Sequence, residues 1–255
     1  MWFRANFRRF QTKLRHLATY FRTLNEANEV ERKTDLENCS MPVLVLHGFG
    51  ATRRSLSILE ARLRKDGFGV FSIRLGGFLD LFNTAPIDEL AIVVAKKVEE
   101  LCQRFQCNRI AIIGYSKGGL IGRYYVNFLH GDHRVHTLIT LATPNQGNRW
   151  ALLSNLLIAG LFSKGLRQLR SGSSFLKKMN NTPHPNNIYM VSISSYADTH
   201  CPPAYCRLPH TENSNLVFNI ILDDLLHSDF IIKQKAYNEI AKHLQAGFKR
   251  YNDTL

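Results

Sequence analysis

Apolar and polar residues change rhythm twice along this chain. Over residues 1–25, Phe3, Phe7, Phe10, Leu14, Leu17, Phe21 and Leu24 recur at steps of three and four, the spacing of one helix face. Residues 25–40 lose that pattern and read as a polar linker, so residues 1–40 form a unit of their own. From Met41 short apolar runs alternate with helical periods. The runs Pro42–Leu46, Gly69–Ile73, Arg109–Ile113, Val135–Leu141, Ile188–Ile193 and Leu216–Ile221 are continuous, as strands covered on both faces are. Helical spacing falls between and after them, over Ser55–Arg64, Ile87–Phe105, Leu120–Leu129 and Phe230–Leu244. This alternation predicts an α/β domain over residues 41–255, with a mostly parallel central sheet and helices on both faces. Functional residues of such sheets collect at the carboxyl ends of the strands.

One stretch, about residues 145–186, interrupts the alternation. It contains Trp150–Phe162, apolar nearly all round, which suits burial or an apolar lid over a site. Arg149, Lys164, Arg167, Arg170, Lys177 and Lys178 surround it, and no Asp or Glu falls between Asp132 and Asp198. That charge run is either a solvated face or a rim turned toward anionic headgroups.

Composition narrows the class. At 255 residues and 45% hydrophobic the chain can bury the core of one domain. Its net charge of +13 asks for an anionic partner. No helix-turn-helix, zinc-finger spacing or RNP-like strand is present, which argues against nucleic acid and leaves an anionic membrane surface or acidic lipid. The N-terminal stretch adds Arg4, Arg8, Arg9, Lys13, Arg15 and Arg22, with no acid before Glu26. Three readings stay open for it: a helix lying in a membrane interface, an organelle-targeting segment, or a helix packing its aromatic stripe on the main domain. No uninterrupted apolar run reaches 18 residues, and no secretory-signal pattern opens the chain. The five cysteines lack framework spacing and fit reduced thiols. The expectation is a cytoplasmic protein, with room for peripheral membrane contact.

The densest chemical signal is Gly114-Tyr115-Ser116-Lys117-Gly118, where an apolar strand breaks into a helical period. G-x-S-x-G between strand and helix is the nucleophile elbow of α/β-hydrolases. The turn strains the serine backbone, so the positions two residues away, Gly114 and Gly118, must be nearly free of side chain. Upstream, Pro42–Leu46 ends in His47-Gly48-Phe49-Gly50, where a glycine lets the backbone approach a reacting carbonyl. The amides of Phe49 and Lys117 are then candidates for an oxyanion hole.

The elbow continues as Gly118-Gly-Leu-Ile-Gly-Arg123-Tyr-Tyr-Val, and the next strand runs into Thr143-Pro144-Asn-Gln-Gly147. These segments resemble the GHSMGG-x-x-x-R-Y-Y and hydrophobic-TP-x-x-G blocks of bacterial triacylglycerol lipases and their esterase relatives, the class 2 lipases of the α/β-hydrolase fold. The resemblance covers roughly residues 42–147, with isolated motifs beyond. Lys117 stands where that family usually has Met, Gln or Leu.

The resemblance implies a triad acid after a later strand, where Asp198 stands in Ser194-Ser-Tyr-Ala-Asp198-Thr-His-Cys-Pro-Pro203. It also implies a base in the loop before the last helix, where His227 follows Asp223-Asp-Leu-Leu. Asp223 and Asp224 are rivals for the acid, His200 and His210 for the base. The order Ser116, Asp198, His227 agrees with that of the fold. The expected activity is hydrolysis of carboxylic esters of lipids or acyl chains through an acyl-enzyme. Thioesterase or acyltransferase chemistry on the same triad, or a non-catalytic membrane-binding module, are the alternatives. No cofactor and no metal are expected, although His200, Cys201, Cys206 and His210 are spaced at the edge of zinc usage. A Cys201–Cys206 disulfide is a further reading of the same loop.

Overall fold

The structure, a computed structural model, describes residues 41–76, 83–148, 164–209 and 215–254. The chain divides between Lys33 and Thr34 into two units, and all described residues belong to the second. The N-terminal stretch 1–25, the linker, Cys39, Trp150–Phe162 and His210 lie outside the described residues.

Six strands form one sheet: β1 Pro42–Leu46, β2 Gly69–Ser72, β3 Ile110–Tyr115, β4 Val135–Leu141, β5 Tyr189–Ser195 and β6 Val217–Leu222. Their order is β2-β1-β3-β4-β5-β6, and every neighbouring pair is parallel. Each apolar run of the sequence thus became a strand, its ends shifted by two residues at most. The helices are α1 Ser57–Lys65, α2 Ile87–Phe105, α3 Lys117–Phe128, α4 Lys164–Gln168, α5 Ser174–Asn181, the single turn α6 Pro203–Cys206, and α7 Gln234–Asn252.

Strand periodicity sorts the core into two layers. Val43 and Val45 of β1 point into a layer with Leu59 and Leu63 of α1 and Tyr237, Ile240 and Leu244 of α7. Leu44 and Leu46 point the other way, toward Leu90, Val94 and Val98 of α2 and Leu120 and Ile121 of α3. Both sheet faces are therefore apolar, which is why the strands read as unbroken hydrophobic runs.

Three helices depart from their sequence bounds. The period over Ser55–Arg64 is a 3₁₀ turn, Arg53–Leu56, followed by α1. Helix α3 begins at Lys117 rather than Leu120, because the elbow delivers the chain straight into helical geometry. The last helix is Gln234–Asn252, not Phe230–Leu244. Phe230 belongs to a separate 3₁₀ turn, His227–Ile231, and Lys233, extended at φ −80° and ψ 143°, separates the two.

The described part of the insertion is fastened to the sheet layer. Arg123, fully buried on α3, donates from Nη1 to Asn180 Oδ1 at 2.8 Å and from Nη2 to the Met179 carbonyl at 2.9 Å. Gln168 of α4 accepts from the Ile87 amide at 2.7 Å, filling one of the unpaired donors at the start of α2. Among the described residues no helix is long and apolar enough to cross a membrane.

Two predictions follow from this packing. In most helices Gly→Ala is stabilising by about 0.5–1 kcal/mol. At Gly247 of α7, however, an added Cβ would come within 3.0 Å of Thr137 Cβ on β4. Gly247→Ala should therefore lower the urea midpoint instead of raising it. Burial also lowers the pKa of three histidines, His47 to about 4 and His136 and His184 to about 3. The unfolded chain, with imidazoles near the ordinary value of 6.5, then binds protons that the native state refuses. Stability should be full above that value and fall as pH drops toward 4 and 3. His136→Phe should flatten part of this limb in urea titrations at pH 4–7.

Candidate active site

The carboxyl ends of β3, β5 and β6 bring three side chains together. Ser116 follows β3 in a conformation rare for a residue with a side chain, φ 51° and ψ −122°. The turn is as tight as its glycines permit. A Cβ on Gly114 would run into the backbone of Gly118 and Gly119, and one on Gly118 into the Leu46 carbonyl. Gly119 lies directly against the side chain of Thr143, the threonine of the Thr-Pro motif. The Ser116 amide is held by the Leu141 carbonyl at 2.8 Å.

Asp198, after β5, is wholly buried. Its Oδ2 accepts from His227 Nδ1 at 2.7 Å, and its Oδ1 accepts from the amides of His200 at 2.9 Å and Cys201 at 3.0 Å. Burial pushes the carboxyl's pKa up, but the bond and charge of His227, with the two amides, outweigh it and hold it below the ordinary value. A carboxylate on Nδ1 assigns the ring proton there, leaving Nε2 as acceptor. Nε2 faces Ser116 Oγ at 3.3 Å.

The base is held by groups that sequence reasoning did not single out. The Tyr115 hydroxyl, kept protonated by burial and by the nearby Asp198 charge, donates to the His227 carbonyl at 3.2 Å. Its ring lies 5.2 Å from the imidazole, centroid to centroid. Ser195 Oγ accepts from Ala197 N at 3.2 Å and from Leu225 N at 2.9 Å, tying the acid loop to the base loop. Asp229 caps the turn through Leu226 N at 2.9 Å. Only Tyr115 carried a signal, as the residue before the serine in the elbow.

The rivals take other places. Asp224 is exposed and paired with Lys235. The His200 ring lies tilted beside His227, centroids 5.5 Å apart, but its side chain is 71% exposed, and its Nδ1 is 4.0 Å from Asp198 Oδ1. Cys201 and Cys206 are free thiols, as are Cys102 and Cys107. Among the described residues one group has metal-ligand spacing, His130, Asp132 and His133, in the turn that follows α3, at the other end of that helix from Ser116.

Of the two oxyanion candidates, Lys117 is part of the elbow and Phe49 follows Gly48, which packs against it. Lys117 opens α3, so its amide is among those that no preceding helical turn can satisfy. Gly48 lies so close to the nucleophile that a Cβ there would be 2.9 Å from Ser116 Cβ, which brings the Gly48-Phe49 backbone alongside Ser116. The Lys117 side chain is buried and turns to the segment after β2. Large apolar groups close in sequence to the site are exposed: Phe49, Tyr196 and Leu226 at 39%, 66% and 58%, each within two residues of a site residue or one itself.

A family model described as palmitoyl protein thioesterase matches residues 42–201. No curated protein matches the chain. Among solved structures, Bacillus licheniformis lipase BlEst2 in mature form superposes with a TM-score of 0.68 at 17% identity, over 85% of this chain and 96% of that one. Aspergillus fumigatus lipase B gives 0.66 at 13% identity, over 84% of this chain but 54% of its own length. The esterase EaEST from Exiguobacterium antarcticum gives 0.55 at 16% identity, over 82% and 93%. At such identities these likenesses carry the α/β-hydrolase fold. The family match spans well over half of the chain and agrees with that fold. The chain belongs to the palmitoyl protein thioesterase family.

Proposed function

We propose that Ser116, His227 and Asp198 form the catalytic triad of a serine hydrolase that cleaves long-chain acyl esters or thioesters. The observation that carries this reading is the continuous contact from Asp198 Oδ2 through both ring nitrogens of His227 to Ser116 Oγ, 2.7 Å and 3.3 Å. His227 takes the Ser116 proton as Oγ attacks the acyl carbonyl. Asp198 holds the Nδ1–H tautomer and stabilises the imidazolium that forms. The amides of Phe49 and Lys117 receive the oxyanion, each donor worth roughly 10²–10³ in rate. His227 then gives its proton to the leaving alcohol or thiol. Water, activated by the same imidazole, releases the acyl group from Ser116.

The exposed Phe49, Tyr196 and Leu226 support an apolar acyl chain over a polar acid part. The family's name adds a thioester as the second form of the scissile bond. The basic, aromatic stretch of residues 1–25 and the cationic Lys164, Arg167, Arg170, Lys177 and Lys178 support contact with an anionic membrane surface. A cytoplasmic enzyme working at that surface is the setting we propose.

A fluorophosphonate probe should label the wild-type chain, and Ser116→Ala should abolish both labelling and turnover. The loss expected is about 10⁴–10⁶-fold in kcat, with Asp198→Asn losing about 10⁴-fold. Turnover on p-nitrophenyl esters and acyl-CoA thioesters should rise with chain length from C2 to C16. An unlabelled wild type, or full activity in Ser116→Ala, sinks the reading. Deleting residues 1–25 should abolish sedimentation with phosphatidylglycerol vesicles while sparing turnover of a soluble short-chain ester. Undiminished vesicle binding by the deletion variant would remove the membrane role of that stretch.

A further inference from the structure

Lysine directly after the nucleophile needs a reason, because its side chain is fully buried. Among the described residues no carboxylate pairs with it, and burial lowers its pKa to about 7. A methionine of similar length would fill the same space without the desolvation cost of an ammonium. What the ammonium has instead is two backbone carbonyls: Nζ donates to Asn83 O at 2.7 Å and to Ala85 O at 2.5 Å. It also lies 5.8 Å from the centroid of the Phe49 ring.

The segment so held touches the oxyanion loop directly through Asn83 and indirectly through Leu75. Asn83 is fully buried and left-handed, at φ 49°. Its side-chain amide donates to the His47 carbonyl at 2.6 Å, and its backbone amide to Leu75 O at 3.1 Å. Leu75 N in turn donates to His47 Nε2 at 3.3 Å. From the other side α4 presses on the same stretch. A Cβ on Gly165 would stand 2.7 Å from both the Thr84 and the Ala85 carbonyl oxygens. Residues 84–85 are therefore clasped between the Lys117 side chain and the first described helix of the insertion, α4.

We propose that the Lys117 side chain is a positioning group for the oxyanion hole: by fastening Asn83 and Ala85 it keeps Asn83 on the His47 carbonyl and so fixes the Phe49 amide beside Ser116. The inference rests on the hydrolase reading above and assigns to one residue two separable duties. The Lys117 backbone amide contacts the oxyanion, and its side chain holds the opposite donor in place. The neutral amine still carries two N–H groups, enough for both carbonyls, so loss of the proton weakens the clasp without releasing it and removes a positive charge from the oxyanion's surroundings. Among the described residues the titratable groups facing Nζ reduce to His47, neutral through burial, with Arg53 acting beyond it on the same imidazole.

The test compares wild type, Lys117→Met and Lys117→Gln on one ester, with an alkylboronic acid as mimic of the tetrahedral state. Lys117→Met should melt no lower than wild type, since a buried charge has gone. Its kcat should fall about tenfold to a hundredfold, as for a small misplacement of a reacting group, with KM within about twofold and boronate affinity falling in step with kcat. Lys117→Gln, a shorter side chain that keeps N–H donors, should lie between. The ratio of wild-type to Lys117→Met kcat, from which ionisations common to both proteins cancel, should decline as pH rises through about 7. Wild-type kcat and boronate affinity in Lys117→Met overturn the proposal, as does a ratio that is flat with pH. If Lys117→Met fails to fold, the same ratio and boronate affinities taken against Lys117→Gln decide. An inactive wild type sinks the hydrolase reading along with this one, whereas an active wild type matched by its variants sinks this one alone.

Discussion

Ser116 holds a backbone conformation that residues with side chains avoid, and three neighbouring glycines make it possible. Positive φ costs such a residue roughly 1–3 kcal/mol. Here the strain is offset by bonds that exist only in the tight turn, Ser116 N to Leu141 O at 2.8 Å and Gly119 N to Ser116 O at 3.1 Å. The glycines let α3 start directly on the ends of β1 and β4. As a result the first free amides of the helix, the hydroxyl and the His-Gly loop crowd into one small volume. The remaining parts of the site are arranged around that fixed point.

Parallel topology supplies the other partners. β3, β5 and β6 all end at the same edge of the sheet, so residues far apart in sequence arrive together without long excursions of the chain. At the end of β5 Ser195 joins the acid and base loops by accepting hydrogen bonds from two amides, and Asp229 accepts from the Leu226 amide in the turn that carries His227. Asp198 remains ionised in a wholly buried position because one imidazole and two amides replace its water. A rigid acid of this kind costs little reorganisation when the imidazole takes up its proton.

The features legible in the sequence are those that repeat or that geometry forbids to vary. Continuous apolar runs gave six strands because both faces of the sheet are covered. The elbow showed itself through glycines that cannot be anything larger. His227 was separable from His200 only by loop position, and the two rings do stand 5.5 Å apart. Helix ends were less legible: the break at Lys233 is a backbone conformation that leaves no mark on hydrophobic spacing. Ser195 and Asp229 are commonplace residues whose roles come from neighbours brought close by folding. Lys117 was placed by its amide, but the direction of its side chain depends on carbonyls more than thirty residues away in sequence.

The loop around Asp198 carries a consequence for interpreting chemical modification. The Cys201 amide is one of the two donors to Asp198 Oδ1, and its thiol is buried close to Cys206, whose Sγ lies 3.1 Å from the Cys201 carbonyl. Alkylating or oxidising either sulfur would displace that amide and disturb the carboxylate behind the imidazole. Inactivation by thiol reagents would thus be a remote injury to the acid, and offers no sign that sulfur attacks the substrate.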